Sequence, residues 1–386
     1  MTTATAAPSA VSGSAQSSGG RIYNFGAGPS VLPEEVIRQI QQDVWNYQGS
    51  GMGILEHSHR AKHYDAIVAQ VDRDIREIGS IPANYKVLFM TGGATGQNWI
   101  VPANLLPQGS TADYVITGYW GEASLKDAQQ YCQCHNPSAT IHVAGNSADR
   151  KHSVIPADGE LRYSAKPAYV HVTSNNTIYG TQWHRLPSAP APIVCDASSD
   201  IFSRPIDVSK YGALYGGAQK NLGTTGATFV IVRDDLIENG NKNIPRMVQF
   251  RTFAKEESRP NTPPAFAIYT VGLMAQWIKR QGGLAALEEA NAAKAKVIYD
   301  ALDATTAFWK GHARKEDRSL MNITFRAIGG EALDERFLAE AKANGCDGLK
   351  GHRATGGMRA SVYNAFPKAG CDVLAQLIRD FARKNG

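Results

Sequence analysis

The stretch Ile193-Val194-Cys195-Asp196, followed by Ala197-Ser198-Ser199 and then, past Ala213-Leu214-Tyr215, by Gly217-Ala218-Gln219-Lys220-Asn221, decides how the chain folds. Its first run is apolar without alternation, as in a strand buried on both faces, and it ends on a carboxylate. Val87 to Met90, Tyr114 to Thr117, Tyr169 to Val172 and Ala227 to Arg233 are runs of the same kind, and helix-length segments such as Glu122 to Tyr131 lie between them. Strands alternating with helices predict an α/β fold: a mostly parallel central sheet flanked by helices. Ligands of such sheets collect at the carboxyl ends of the strands, which is where Asp196 stands.

From about Gly283 the texture changes. Leu284, Leu287, Ala290, Ala293, Val297 and Ala301 recur at three and four residues, predicting one long helix. Beyond it, Met321 to Arg326 and Met358 to Tyr363 read as strands and Asp372 to Lys384 as a terminal helix, enough for a smaller C-terminal α+β domain. The expected division is a large domain over 34–288, a small domain built from 21–33 plus 289–386, and a disordered tail over 1–20. That tail is rich in Ala, Ser, Thr and Gly, with no charged residue and no apolar core of a secretory signal.

The 386 residues are 43% hydrophobic and 19% charged, which suits a chain with a sizeable core. No stretch approaches the roughly 18 apolar residues of a membrane span. A net charge of +5 without a run of five Lys or Arg favours small anions over nucleic acid as partners. Five cysteines, an odd number, point to a reducing compartment, so a cytoplasmic location is expected, with organellar targeting by the tail left open. Cys132, Cys134 and His135 lack a second ligand pair, and His59 with His63 lacks a third ligand, so no metal is expected.

Gly212 to Lys220 has Ala218 where a P-loop needs its lysine, and the stretches at Gly26 and Gly49 lack the third glycine of a dinucleotide fingerprint. Thr91 to Gln97 (TGGATGQ) follows a strand and precedes a helix, so it suits either a tight turn or a phosphate cradle. Asp196 alone suits a helix cap, Trp120 alone suits core filler, and a lone lysine suits the surface. Together, an Asp at one strand end and a Lys in a pocket after the next are the pair that pyridoxal phosphate requires. The lysine carries the cofactor covalently, the carboxylate pairs with its protonated ring nitrogen, and Trp120 could stack on the ring.

Strings in order along the chain make this specific: Asn24-Phe25-Gly26-Ala27-Gly28-Pro29, Ser58-His59-Arg60, Asp113-Tyr114 through Gly121, Asn176-Thr177-Ile178-Tyr179-Gly180, Ser203-Arg204-Pro205-Ile206-Asp207, Gly217 to Asn221, Asn261-Thr262-Pro263-Pro264, and Lys350-Gly351-His352-Arg353 with Gly356 to Ser361. From Tyr23 to Gly386 the chain resembles the phosphoserine aminotransferases, a branch of the class V pyridoxal-phosphate enzymes. The resemblance implies a homodimer with shared active sites, passing the amino group of glutamate to 3-phosphohydroxypyruvate to give phosphoserine and 2-oxoglutarate in serine biosynthesis. It leaves open whether 4-phosphohydroxythreonine is also used.

By that resemblance Lys220 and Asp196 are catalytic, Trp120 stacks on the ring, and Thr177 bonds near the phenolic oxygen. Ala94, Thr95 and Gln219 would hold the cofactor phosphate, with Asn261 and Thr262 reaching in from the other subunit. Arg359 would clamp the substrate's α-carboxylate, and His59 and Arg60 of the other subunit would join His352 and Arg353 on its phosphate. Some members of the family have arginine where this chain has Thr95. A cysteine desulfurase would need a catalytic cysteine on a mobile loop, and Cys346 precedes His352-Arg353 instead. A non-catalytic pyridoxal-phosphate-binding protein would not need both cationic strings.

Overall fold

The computed structural model describes residues 20–386, so the expected disordered tail, apart from Gly20, lies outside the described residues. Seven strands form the central sheet: β1 (Tyr85–Met90), β2 (Thr111–Ile116), β3 (Thr140–Asn146), β4 (Pro167–Thr173), β5 (Ile193–Asp196), β6 (Tyr211–Gly217) and β7 (Thr228–Arg233). Their spatial order is β1-β7-β6-β5-β4-β2-β3, and β7 alone runs against the rest. The α/β class with a mostly parallel sheet is therefore as the sequence predicts. β3 and several helices were not singled out by the apolar runs, because Thr140–Asn146 is an edge strand that is only partly buried.

Two apolar clusters cover the two faces. α1 (Glu34–Trp45) and α2 (Lys62–Gly79) pack on one face, and α3 (Gly93–Leu105) and α4 (Tyr119–His135) on the other. In β5, Ile193 and Cys195 point into the first cluster and Val194 into the second. Alternation therefore puts Asp196 on the Val194 face, under α3 and α4. The register seals its position: Asp196 sits opposite Thr173 on one side and Tyr215 on the other.

α5 (Ala265–Arg280) leads into α6 (Gly283–Asp303), which passes from one core to another. Leu284 and Leu287 belong to the core of the large sheet, whereas Ala295, Ile298 and Leu302 pack with Tyr23, Phe25 and the C-terminal elements. Those elements are an antiparallel sheet of β8 (Trp309–Gly311), β9 (Asn322–Ala327) and β10 (Met358–Ser361) with α7 (Glu331–Ala343) and α8 (Lys368–Asn385).

The stripe expected on α6 needs correcting. Ala290 and Ala293 are exposed, and Asn291 and Lys294 are buried in their place. Asn291 Nδ2 donates to Ser203 O and Asn364 Oδ1, and Lys294 Nζ donates to Tyr363 O at 2.6 Å. Leu284, Leu287 and Ala301 are buried as the stripe predicts, but satisfied polar groups can face a core, so apolar periodicity drawn through alanines fails over the middle turns.

Candidate active site

The amine of Lys220 lies just past β6 and donates to Thr177 Oγ1 at 2.9 Å. Burial lowers its pKa to about 8, while the Asp196 carboxylate pulls the other way and the Arg359 guanidinium adds to the drop. Asp196 is itself buried, and burial raises its pKa against two bonds from Ser198, whose N–H and hydroxyl both donate to Oδ1. The carboxylate and the amine feel each other but form no ion pair. A carboxylate at a strand end and an amine in the turn after the next strand thus act on each other without pairing.

What positions the lysine comes from far away in sequence. Ser30 N donates to Gln219 O at 2.9 Å, and the Ser30 hydroxyl donates to Lys220 O. A Cβ added at Gly28 would meet Lys220 Cγ at 3.4 Å, so the Gly26–Ser30 turn lies flat against the lysine stem. Asn176 donates to Thr117 Oγ1 and Thr181 Oγ1 at 3.0 Å each, which braces the turn that presents Thr177.

α3 opens at Gly93 with Gly92 as its N-cap, at φ +65° and +95°, conformations that admit glycine readily. No side chain caps this helix. The first N–H groups of a helix have no intrahelical partner, so those of Gly93, Ala94 and Thr95 are available to an anion.

Arg359 lies on β10, with its pKa lowered by burial, and its buried Nε has no partner among the described residues. The Trp120 Nε1, in the first turn of α4, is likewise buried and unpartnered. His352 reaches this neighbourhood, its ring 5.5 Å from that of Tyr119, and its pKa is lowered by burial and then by Arg359 and Arg353. Unspent donors, a carboxylate at the strand end, an amine opposite it and a free helix N-terminus together fit pyridoxal phosphate, an aromatic cation-bearing ring with a phosphate arm.

Of the residues predicted from sequence, Lys220 bonds Thr177 and lies within reach of the charges of Asp196 and Arg359, and His352 feels Arg359 and packs against Tyr119 beside Trp120. Gln219 adjoins Lys220, and Ala94 and Thr95 stand in the first turn of α3, where Thr95 lines a separate cavity with Trp99 and Tyr131. Arg353 is exposed beside His352. Asn261 and Thr262 are exposed just before α5, and their side chains make no hydrogen bond to any of these residues. His59 is half-buried and Arg60 exposed in the turn before α2, equally without such a bond. Cys346 is buried in a two-residue strand pairing with Tyr23, and burial pushes its thiol up to about 12, so it offers no thiolate.

The sequence reading passed over Ser198, Ser30 and Tyr363. Ser198, two residues after Asp196, has a readable signal, since such a spacing makes an Asx turn. Ser30 lies 190 residues from Lys220 and Tyr363 donates to Ala27 O across the chain, so nothing local marks either.

The class-V aminotransferase family model matches residues 22–374. A phosphoserine aminotransferase of Lysinibacillus sphaericus (strain C3-41) is 47% identical over 366 residues, 95% of this chain and 99% of that protein. The solved phosphoserine aminotransferase of Bacillus circulans subsp. alkalophilus superposes with a TM-score of 0.91 at 42% identity, covering 95% of this chain and 99% of that one. A pyridoxal-phosphate-bound phosphoserine aminotransferase from Trichomonas vaginalis gives a TM-score of 0.89 at 34% identity, covering 93% and 100%.

Proposed function

We propose, for a chain that belongs to the class-V aminotransferases and within them to the phosphoserine aminotransferases, that it moves the amino group of glutamate onto 3-phosphohydroxypyruvate, giving phosphoserine and 2-oxoglutarate for serine biosynthesis. Pyridoxal phosphate, when bound, supplies the electron sink that makes the Cα proton acidic. The observation that carries the reading is the pair of Asp196 and Lys220, both buried and acting on each other electrostatically without forming an ion pair.

Each side chain then has a task. Lys220 holds the cofactor and moves the proton at Cα, for which an amine with a pKa near 8 is suited at neutral pH. Asp196 keeps a proton on the ring nitrogen, Trp120 stacks on the ring, and Thr177 bonds near the phenolic oxygen. Ala94, Thr95 and Gln219 hold the cofactor phosphate. Arg359, with its free Nε, takes the α-carboxylate common to both amino donors.

The exposed positions of Arg60, Asn261 and Thr262 and the half-buried position of His59 support a homodimer in which these four serve the neighbouring active site, Arg60 and His59 joining His352 and Arg353 on the substrate phosphate. The division into a large domain over 34–288 and a small one over 21–33 plus 289–386 is supported by the two cores that meet along α6. A cytoplasmic location rests on the five unpaired cysteines; among the described residues no helix is long and apolar enough to cross a membrane.

The function is tested by half-reactions with phosphoserine and with serine. Phosphoserine should be strongly preferred, and Arg60→Ala should lower the phosphoserine-to-glutamate ratio of kcat/KM by at least about tenfold, or about 1.4 kcal/mol. Thr95 stands where some relatives carry an arginine, so the load on Arg60 is the greater. Equal use of serine and phosphoserine would reduce the assignment to an unspecified class-V aminotransferase.

Shared sites make a second result expected. Lys220→Ala and Arg60→Ala chains, each inactive or impaired alone, should regain activity when mixed, because one of the two sites in a hybrid dimer has both residues. No recovery despite proven subunit exchange would place both residues in one chain's site.

The lysine pKa gives a third. Only the neutral amine attacks the cofactor aldehyde, so uptake of pyridoxal phosphate by cofactor-free protein should quicken as pH rises through about 8 and level off above it. A rate still climbing at pH 10 would mean that burial does not depress this amine.

A further inference from the structure

A cavity of about 950 Å³ is lined by Arg353 and the turn after it, walled by the β8–β9 edge, by the residues after β3 and by Thr355 to Gly357. Five Lys or Arg side chains line it; Arg150 pairs with Glu160, Arg326 donates to Thr355 O, and Lys151, Lys310 and Arg353 make neither an ion pair nor a side-chain hydrogen bond among the described residues. Three carboxylates share the wall: Glu122, which His152 approaches at 3.2 Å, Asp334, which accepts the Ala327 N–H at 2.7 Å, and Glu331; the five Lys and Arg side chains outnumber them. The local field is consistent with that count. His312, which bonds Lys151 O at 2.8 Å, is held below its usual pKa by burial and further by Arg326, His152 and Lys310.

The wall is mechanically tied to the candidate phosphate anchor. Arg326 donates to Thr355 O, and Thr355 N and Gly356 N both donate to His352 O, at 2.9 and 2.8 Å. Gly356 and Gly357 follow at φ +62° and +61°. In this turn the His352 ring packs near Tyr119, whereas Arg353 lines the cavity. Two neighbouring residues expected to grip one phosphate therefore face different spaces.

We propose that this cavity is a second anion site, for a small molecule bearing a phosphate dianion, and that it shares Arg353 with the substrate's phosphate anchor. The sharing rests on the function proposed above; the cavity and its unpaired lysines do not. Lys151, Lys310 and Arg353 keep all their side-chain donors free, and the excess of cations over carboxylates on the wall favours a dianion as the acceptor. Arg353 cannot hold two phosphates at once, so occupancy of the cavity weakens the hold on the substrate, and high phosphate slows turnover by a route that excess phosphoserine does not fully reverse.

The test is a calorimetric titration of the holoenzyme with inorganic phosphate. Two phosphates should bind per chain. The double variant Lys151→Ala/Lys310→Ala, at two exposed positions outside the proposed catalytic set, should weaken one of them by at least about tenfold while kcat/KM for phosphoserine in phosphate-free buffer stays within about twofold. Arg60→Ala should weaken the other. A glycerol 2-phosphate arm separates the sources: displacement of the lysine-dependent phosphate supports a monoester as the occupant, and its persistence supports the free ion. One phosphate per chain, or two that both survive the double variant, overturns the proposal. If instead the second phosphate is found and the preference for phosphoserine over serine is not, the anion site stands and the functional reading falls.

Discussion

Replacing Lys220 by alanine is expected to abolish transamination, with a loss beyond the ~10² to 10⁴ typical of one acid–base group. Two roles vanish together: the covalent hold on the cofactor and the proton carrier at Cα. The fold should survive. The side chain makes one hydrogen bond, to Thr177 Oγ1, and its backbone is held independently by Ser30. Burial depresses the amine to about 8, below its value of about 10.4 in an unfolded chain, so in cofactor-free protein the charged form opposes folding below pH 8. That cost fades as pH rises from 8 toward 10. Cofactor-free Lys220→Ala should therefore melt no lower than cofactor-free wild type at pH 7, and the advantage should shrink by pH 10. Activity above a tenth of wild type, measured in steady state with glutamate, would show that another residue holds the cofactor.

Asp196→Asn is expected to bind pyridoxal phosphate and lose on the order of 10² to 10³ in kcat, the range for removing one preorganised electrostatic contact. An amide can take over Oδ1's bonds from the Ser198 N–H and hydroxyl, so the turn after β5 should stay in place. What it cannot supply is a negative charge against the ring nitrogen, and without that the proton leaves and the electron sink weakens. The buried setting enlarges the effect, because little water competes there with the carboxylate. Rapid-mixing measurements of the glutamate half-reaction check it; unchanged rates with cofactor bound would mean that Asp196 only caps its turn through Ser198.

Much of this was legible in the chain itself. Continuous apolar runs such as Ile193 to Cys195 announce strands covered on both faces, because only such strands need no alternation. Asp196 and Lys220 could be paired from order alone, since a strand end and the turn after the neighbouring strand lie on one edge of a parallel sheet. Eight strings in a family's order then narrowed the chemistry further than any single spacing could.

Other features exist only once the chain is folded. That Asp196 looks toward α4 and not toward α2 follows from its register with Thr173 and Tyr215, which no local pattern states. Over the middle turns of α6, Asn291 and Lys294 take the buried positions that apolar spacing assigns to Ala290 and Ala293, because they find carbonyl and amide partners more than sixty residues away, and a polar side chain's cost of burial depends on partners that sequence proximity does not supply. The same holds for Ser30 on the backbone of Lys220 and for the split between His352 and Arg353, adjacent in sequence yet turned to different spaces. Apolar pattern is a one-dimensional signal because water is everywhere along an unfolded chain; hydrogen-bond satisfaction and charge pairing are settled between particular atoms, and only the tertiary structure brings those atoms within reach.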